Sequence, residues 1–339
     1  MRALEVLSCG PAVTVQDYGR PGWLGQGLSR GGAADTLALA EGRALLGQEG
    51  PCLEMAGFGG RFRAPVPMRI AFTGAPMDAR IDGASVAWSA SHLVPAGSVI
   101  EVGGVQTGVY GYLHVGGGFG GAEVLGSVSA HLMAGIGRAV QAGDMLAVGP
   151  DKGGETGRVL DAEARFGGGE VRIVPSLQTP LFPGAELARL EATVFRRDAR
   201  ANRMGAKMVP TEGGGFAAEG QLDILSEIIV PGDIQMTGEG EPFVLLAECQ
   251  TTGGYPRIGS VIPPDLPKVA QAGQGVEFRF RFVNIEEGVQ AMAKDREMRR
   301  ALAGKVRPLA RDPAQMQDLL GYRLIGGMVD AYADPFEGE

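Results

Sequence analysis

Several kinds of chemistry are missing from this 339-residue sequence. It has no G-x-x-x-x-G-K-[ST] run, so no phosphate-cradling P-loop. Its three histidines, His92, His114 and His131, are far apart, which argues against zinc and against a Ser-His-Asp triad. Its three cysteines, Cys9, Cys52 and Cys249, are odd in number and widely spaced, which points to a reducing cytoplasm. No apolar run approaches the roughly 20 residues that span a bilayer. The start, "MRALEVLSCG", lacks the continuous apolar core of a secretory signal. No block of Lys and Arg appears, and the net charge is −8, so a nucleic-acid partner is not expected. "REMRR" at 296–300 reads as a solvated helix face. "GGGFGG" at 116–121 follows a strand, but no clear helix or acidic ribose partner comes after it, so it is not read as a dinucleotide site. A Met-Lys-Met biotin-attachment motif is also missing, and any biotin would arrive on another chain.

Glycine, by contrast, is abundant. There are 56, mostly in ones to threes between short apolar runs. With 45% hydrophobic residues this describes many short strands joined by turns around a substantial core. "ALEVLS" and "AVTVQD" read as paired strands around "CGP"; "CLEMAGF", "RIAFTG", "ASVAWSA", "SVIEVGG", "GVYGYLHVGGG" and "DMLAVG" are of strand length. "ADTLALAEGRALLG" has helical spacing, with Asp35 at its start and Gly47 at its stop. "PAGSVIEV", "QAGDMLAV" and "QAGQGVEF" each set Ala-Gly before a strand, as barrel corners require. The polar, glycine-rich stretch 149–170 divides residues 1–150 from 171–304. In the second half "GAELARLEA" and "PPDLPKVAQAG" read as short helices. "TVFRRDARANRMGAKMV", "LDILSEIIV", "PFVLLAEC" and "VEFRFRFV" read as strands. Asn284 with Glu287 opens a longer helix by a capping box, and residues 305–339 are expected to form an arm or tail.

Three segments are more polar than their surroundings. In 15–35, Asp17 and Arg20 suit either an internal ion pair or, with Asp35, a loop presented to an anionic or amide-bearing ligand. In 200–208, Asn202 and Arg203 lie at a strand-to-strand turn. In "QTTGGYPRIGSVI", Gln250, Thr251, Thr252, Tyr255 and Arg257 offer neutral hydrogen bonders and one cation. That mixture suits an amide or urea better than a phosphate, and such donors stabilise an oxyanion on a carbonyl.

"TVQDYGRPGWLGQGLSRGGAAD", "YLHVGGGFGGAEVLGS", "NRMGAKM", "LSEIIVPGDIQ" and "VLLAECQTTGGYPRIGSVIPPDLPKVAQ" follow one another in that order. This set closely resembles the family of allophanate hydrolase subunit 2, also called biotin-dependent carboxyltransferase or the C-type (PxpC) subunit of 5-oxoprolinase, over about residues 5 to 290. The resemblance implies a mainly β fold with a few helices: cyclophilin-like β-barrels in two barrel-containing halves. It implies a subunit 1 partner (KipI- or PxpB-like), a third lactam-utilising subunit in the 5-oxoprolinase version, and self-association as a further option. Its activities would be ATP-dependent opening of 5-oxoproline to glutamate, or carboxyl transfer from carboxybiotin on another chain to a urea- or guanidine-like nitrogen. A KipA-like regulatory binding protein is the non-catalytic version. The Ser-Ser-Lys amidase signature that would hydrolyse allophanate is not in this chain.

By that resemblance Asp35, Tyr255 and Arg203 are the catalytic candidates. Asp17, Arg20, Asn202, Gln250, Thr251, Thr252 and Arg257 are the substrate-binding ones, and no metal is implied. Arg20 and Arg203 would bind a carboxylate or oxyanion, Gln250 and the threonines would orient the amide, and Asp35 or Tyr255 would move a proton. Three departures stand out. Gly31-Gly32-Ala33 replaces the usual Ser-Gly-Ala, Val128-Ser129-Ala130 replaces Arg-Ser-Thr, and Ala247-Glu248 replaces Ala-Asp before Cys249.

Overall fold

A computed structural model describes residues 2–218 and 224–310. In the N-terminal half, two antiparallel sheets enclose one core. The first runs in the order Met145–Ala147, Ala3–Cys9, Phe58–Arg63, Val99–Val105, Met77–Ile81, Ala84–Ser85. The second runs Thr14–Gln16, Cys52–Ala56, Tyr110–Val115, Met68–Gly74, Ser91–Val94. Leu4, Phe62 and Ile100 from the first sheet meet Leu53, Phe72 and Leu113 from the second. Alternate residues along each strand supply this core, as the period of two requires.

The expected hairpin around "CGP" does not form. Ala3–Cys9 pairs with 145–147 and 58–63, whereas Thr14–Gln16 pairs with 52–54. Gly10 lies against the carbonyl of Phe58, where a Cβ would come within 2.7 Å, and there the chain passes from one sheet to the other. Within "ASVAWSA" only Ala84–Ser85 is a strand.

Helix α1 (Thr36–Leu46) lies on the second sheet. Its start and stop follow the sequence signals: Asp35 accepts from the Leu37 and Ala38 amides, and Gly47 takes φ +70° at the C-cap. Thr73 Oγ1 donates to the Ala38 carbonyl (3.0 Å) and bonds His114 Nε2 (2.7 Å). Gly42 leaves room for the buried His114 ring, which a Cβ would meet at 2.4 Å.

The C-terminal half contains a closed barrel of seven strands in the order Gly169–Val174, Arg257–Val261, Asp233–Met236, Pro242–Leu245, Gly205–Pro210, Phe195–Ala201, Glu277–Phe282. A parallel pairing of 169–173 with 278–282 closes the ring. Phe195, Phe278, Phe280, Ile234 and Met208 fill it. The three Ala-Gly segments each precede a strand of these sheets. Helices α2 (Gly184–Ala192) and α3 (Leu266–Gln271) follow the expected segments. Helix α4 (Ile285–Lys305) carries the Asn284–Glu287 capping box and packs on α1. Of "LDILSEIIV", only Glu227–Ile228 is a strand, and residues 222–223 lie outside the described ones. The expected arm is described only to residue 310, and Arg307–Pro308 pairs with Arg158–Val159.

The polar stretch 149–170 is docked. Arg165 is buried, donating to Asp35 (2.6 Å) and to both oxygens of Glu41 (2.8 and 2.7 Å). Gln271 of α3 donates to Asp35 (2.8 Å) and to the Tyr110 carbonyl (2.9 Å). The two halves therefore meet through a buried polar knot beside α1. No helix among the described residues is long and apolar enough to cross a membrane.

Candidate functional site

The three polar segments converge where the halves meet. The Gly31 amide donates to the Ala247 carbonyl (3.0 Å), and the Glu248 amide to the Arg203 carbonyl (2.8 Å). Arg203 Nη2 donates to the Gly32 carbonyl (2.5 Å). Around this junction lies a cleft of about 190 Å³ lined by Gly27, Ser29, His131, Glu248, Gln250 and Thr251. A second cavity, about 210 Å³, shares Met204, Cys249 and Gln250 with it and adds Gln235, Phe243 and Tyr255. Residues 249–250 thus border both spaces.

Each charged candidate has an internal partner. Arg203 is held between two carboxylates, Glu248 at 2.6 Å and Glu54. Burial pulls its pKa down, but Glu54 and Glu248 outweigh that and hold the guanidinium charged. Glu54 also accepts from the Tyr112 hydroxyl and the Ala34 amide, both at 2.8 Å. Burial and then Glu54 push the Tyr112 phenol well up, so it stays protonated. Arg257 spans Gln178, the Ile228 carbonyl, Asp233 and Glu227. Asp35 caps α1 and meets Arg165 and Gln271, with no solvent exposure. Its place in the structure is the buried polar knot beside α1.

Asp17 and Arg20 do not pair with each other among the described ion pairs; each grips the 124–129 segment separately. Asp17 accepts from Ser127 Oγ (2.6 Å), the Val128 amide (3.0 Å) and Ser129 Oγ. Arg20, fully buried, donates to the carbonyls of Val124 (3.2 Å) and Ser129 (2.5 Å), while its Nη1 has no hydrogen-bond partner among the described residues. The Asn202 side chain accepts from the Met204 amide (2.8 Å) and shapes the turn. Thr252 is exposed and pairs with Ile228 across a two-residue ladder. Gln250, Thr251 and Tyr255 are the sequence candidates that line the two spaces.

Four lining groups, Ser29, His131, Glu248 and Cys249, go beyond the sequence candidates. Ser29 Oγ lies 2.9 Å from His131 Nε2, and His131 Nδ1 lies 3.9 Å from Glu248 Oε2. The scattered histidine positions argue against such a cluster, but separation along the chain says little about separation in a fold rich in long-range pairings. The Cys249 thiol is pushed up to about 12, by burial first and Asp233 second, so it is no thiolate nucleophile near neutral pH. Of the departures, Glu248 keeps a carboxylate on Arg203, while Val128 and Ala130 face a separate, largely apolar cleft of about 380 Å³.

Comparison with known proteins agrees with this architecture. Residues 26–282 match the family described as carboxyltransferase domain, subdomain A and B. The chain is 31% identical over 302 residues to the C-type subunit of the Haemophilus influenzae 5-oxoprolinase, covering 86% of this chain and 95% of that protein. The crystal structure of TTHA0988 superposes with a TM-score of 0.75 at 32% identity, over 83% of this chain and 56% of that longer one. The urea carboxylase of Kluyveromyces lactis shares the fold at 22% identity, with a TM-score of 0.78 over 92% of this chain and 31% of that one. With most of its length inside the family match, and with a relative aligned nearly end to end, this chain belongs to the carboxyltransferase domain, subdomain A and B, family.

Proposed function

We propose that this chain is the amide-holding subunit of a heteromeric, ATP-dependent 5-oxoprolinase-type amidohydrolase that opens 5-oxoproline to glutamate. One observation carries the reading. At the junction of the three polar segments, Arg203 is satisfied internally by Glu54, Glu248 and the Gly32 carbonyl, and the polar groups lining the cleft, Glu248 aside, are the neutral hydrogen bonders Ser29, His131, Gln250 and Thr251. Such a surface favours a small amide over a polyphosphate, which would need unpaired cations. The names of the relatives support the same substrate class. In this reading Gln250 and Thr251 orient the amide, Tyr255 closes the adjoining cavity, and Arg203 holds the 31–32 and 247–248 backbones in place. ATP is used by the complex, and a subunit 1 protein and a third lactam-utilising subunit are the partners.

The test is 5-oxoproline-dependent ATP hydrolysis and glutamate release by the chain reconstituted with those partners. Gln250→Ala should lower turnover at least tenfold with the complex intact. Unchanged turnover would remove the cleft from the reaction. The family description favours a second reading, carboxyl transfer from carboxybiotin to urea. Biotin-dependent urea carboxylation without lactam opening would establish it.

A further inference from the structure

His131 and Ser29 have a geometry that distinguishes two chemistries. A serine nucleophile needs an imidazole nitrogen with a free lone pair at its oxygen. Here the Ala134 amide, which donates to the His131 carbonyl (3.1 Å), is shared with His131 Nδ1 (3.3 Å), which favours a lone pair on Nδ1 and the proton on Nε2. The Nε2–H then donates to Ser29 Oγ at 2.9 Å. Glu248 Oε2, at 3.9 Å from Nδ1, is too far to accept a hydrogen bond, and it accepts from the Met133 amide at 3.3 Å. Among the groups facing the ring, Arg20 and Arg203 oppose a second proton and Glu248 favours one. Burial is the largest effect, and the net shift is downward, toward neutral imidazole.

The sequence departure at Gly31 belongs to the same arrangement. Gly31 has φ +61°, and a Cβ there would lie 2.9 Å from His131 Cδ2 and 3.5 Å from Arg20 Nη1. Glycine at 31 therefore admits the imidazole ring.

We propose that Ser29 is the hydroxyl that donates to the carbonyl oxygen of the bound amide, and that neutral His131 is the positioning residue that aims it. This rests on the reading of the cleft as an amide site. With its oxygen already accepting from Nε2–H, the Ser29 proton is free to point into the cleft, toward a carbonyl or the oxyanion that grows on it. No bond to Ser29 forms, since no base stands ready to take its proton.

Two measurements on the full-length folded chain test this. The first is ¹⁵N imidazole NMR, with His131 assigned by His131→Gln. The expected spectrum is a neutral, Nε2–H tautomer at pH 7. An Nδ1–H tautomer or an imidazolium at that pH would overturn the proposal, as would covalent labelling of Ser29 by a fluorophosphonate. The second is binding of 5-oxoproline and 2-pyrrolidinone. Ser29→Ala should weaken both about tenfold, the loss of one hydrogen bond, and Ser29→Thr should restore most of the affinity. If Gln250→Ala weakens binding and Ser29→Ala does not, the cleft stands and the role of Ser29 falls. If neither lactam binds the parent chain, the amide reading of the cleft falls, and this proposal with it.

Discussion

Replacing Arg165 by Met tests how the two halves are held together. Arg165 is 3% exposed and lies between Asp35 and Glu41, which are as deeply buried. Met keeps much of the side-chain volume and removes the cation, leaving two buried carboxylates facing each other. Breaking a buried pair in this way typically costs about 3–5 kcal/mol. For a chain of this size that lowers Tm by roughly 10 °C. The pH dependence is the sharper test. Burial already pushes Glu41 up, against the pull of Arg165. Without the cation the folded-state pKa rises further above the unfolded value. Stability is then retained below the unfolded carboxylate range and lost as pH rises through the folded value. The variant should therefore lie closer to the parent at pH 5 than at pH 8 in urea denaturation. Arg165→Met with Glu41→Gln should recover part of the loss at pH 8. A cost under about 1 kcal/mol at pH 8, or an equal cost at both pH values, would refute the account of this knot.

His114 should contribute to acid instability. Burial lowers its pKa from 6.5 to about 3, so its stabilisation is complete above 6.5 and is lost as pH falls toward 3. The full effect is on the order of 5 kcal/mol, and His114→Gln should flatten the pH dependence of the urea midpoint in that window. Gly42→Ala would drive a methyl into the same ring, and equilibrium denaturation should show a loss of about 1–3 kcal/mol. Asn284→Ala removes the side-chain half of the α4 cap and should cost about 1 kcal/mol by the same measurement.

Local signals set the elements of this protein. Asp35 and Gly47 bound α1, Asn284 and Glu287 start α4, and Ala-Gly turns feed three strands, because caps and turns act within a few residues of chain. The ordered polar motifs likewise mark the segments that meet at the cleft. What each side chain does there is not legible from them. Asp35, Arg20, Arg203 and Arg257 read as groups offered to a ligand, yet each is held by partners up to 236 positions away, as between Asp35 and Gln271. The failed "CGP" hairpin has the same origin: which strands pair is decided by the two sheets closing over one core, not by the turn between neighbours. Ser29, His131 and Glu248 come together only through folding, across more than 200 residues of chain. The sequence determined the family, the mainly β architecture and the polar segments that meet at the candidate cleft. Tertiary packing decided which of their polar groups face the cleft, since a buried charge must find its counter-charge within hydrogen-bond reach and only the folded chain supplies one.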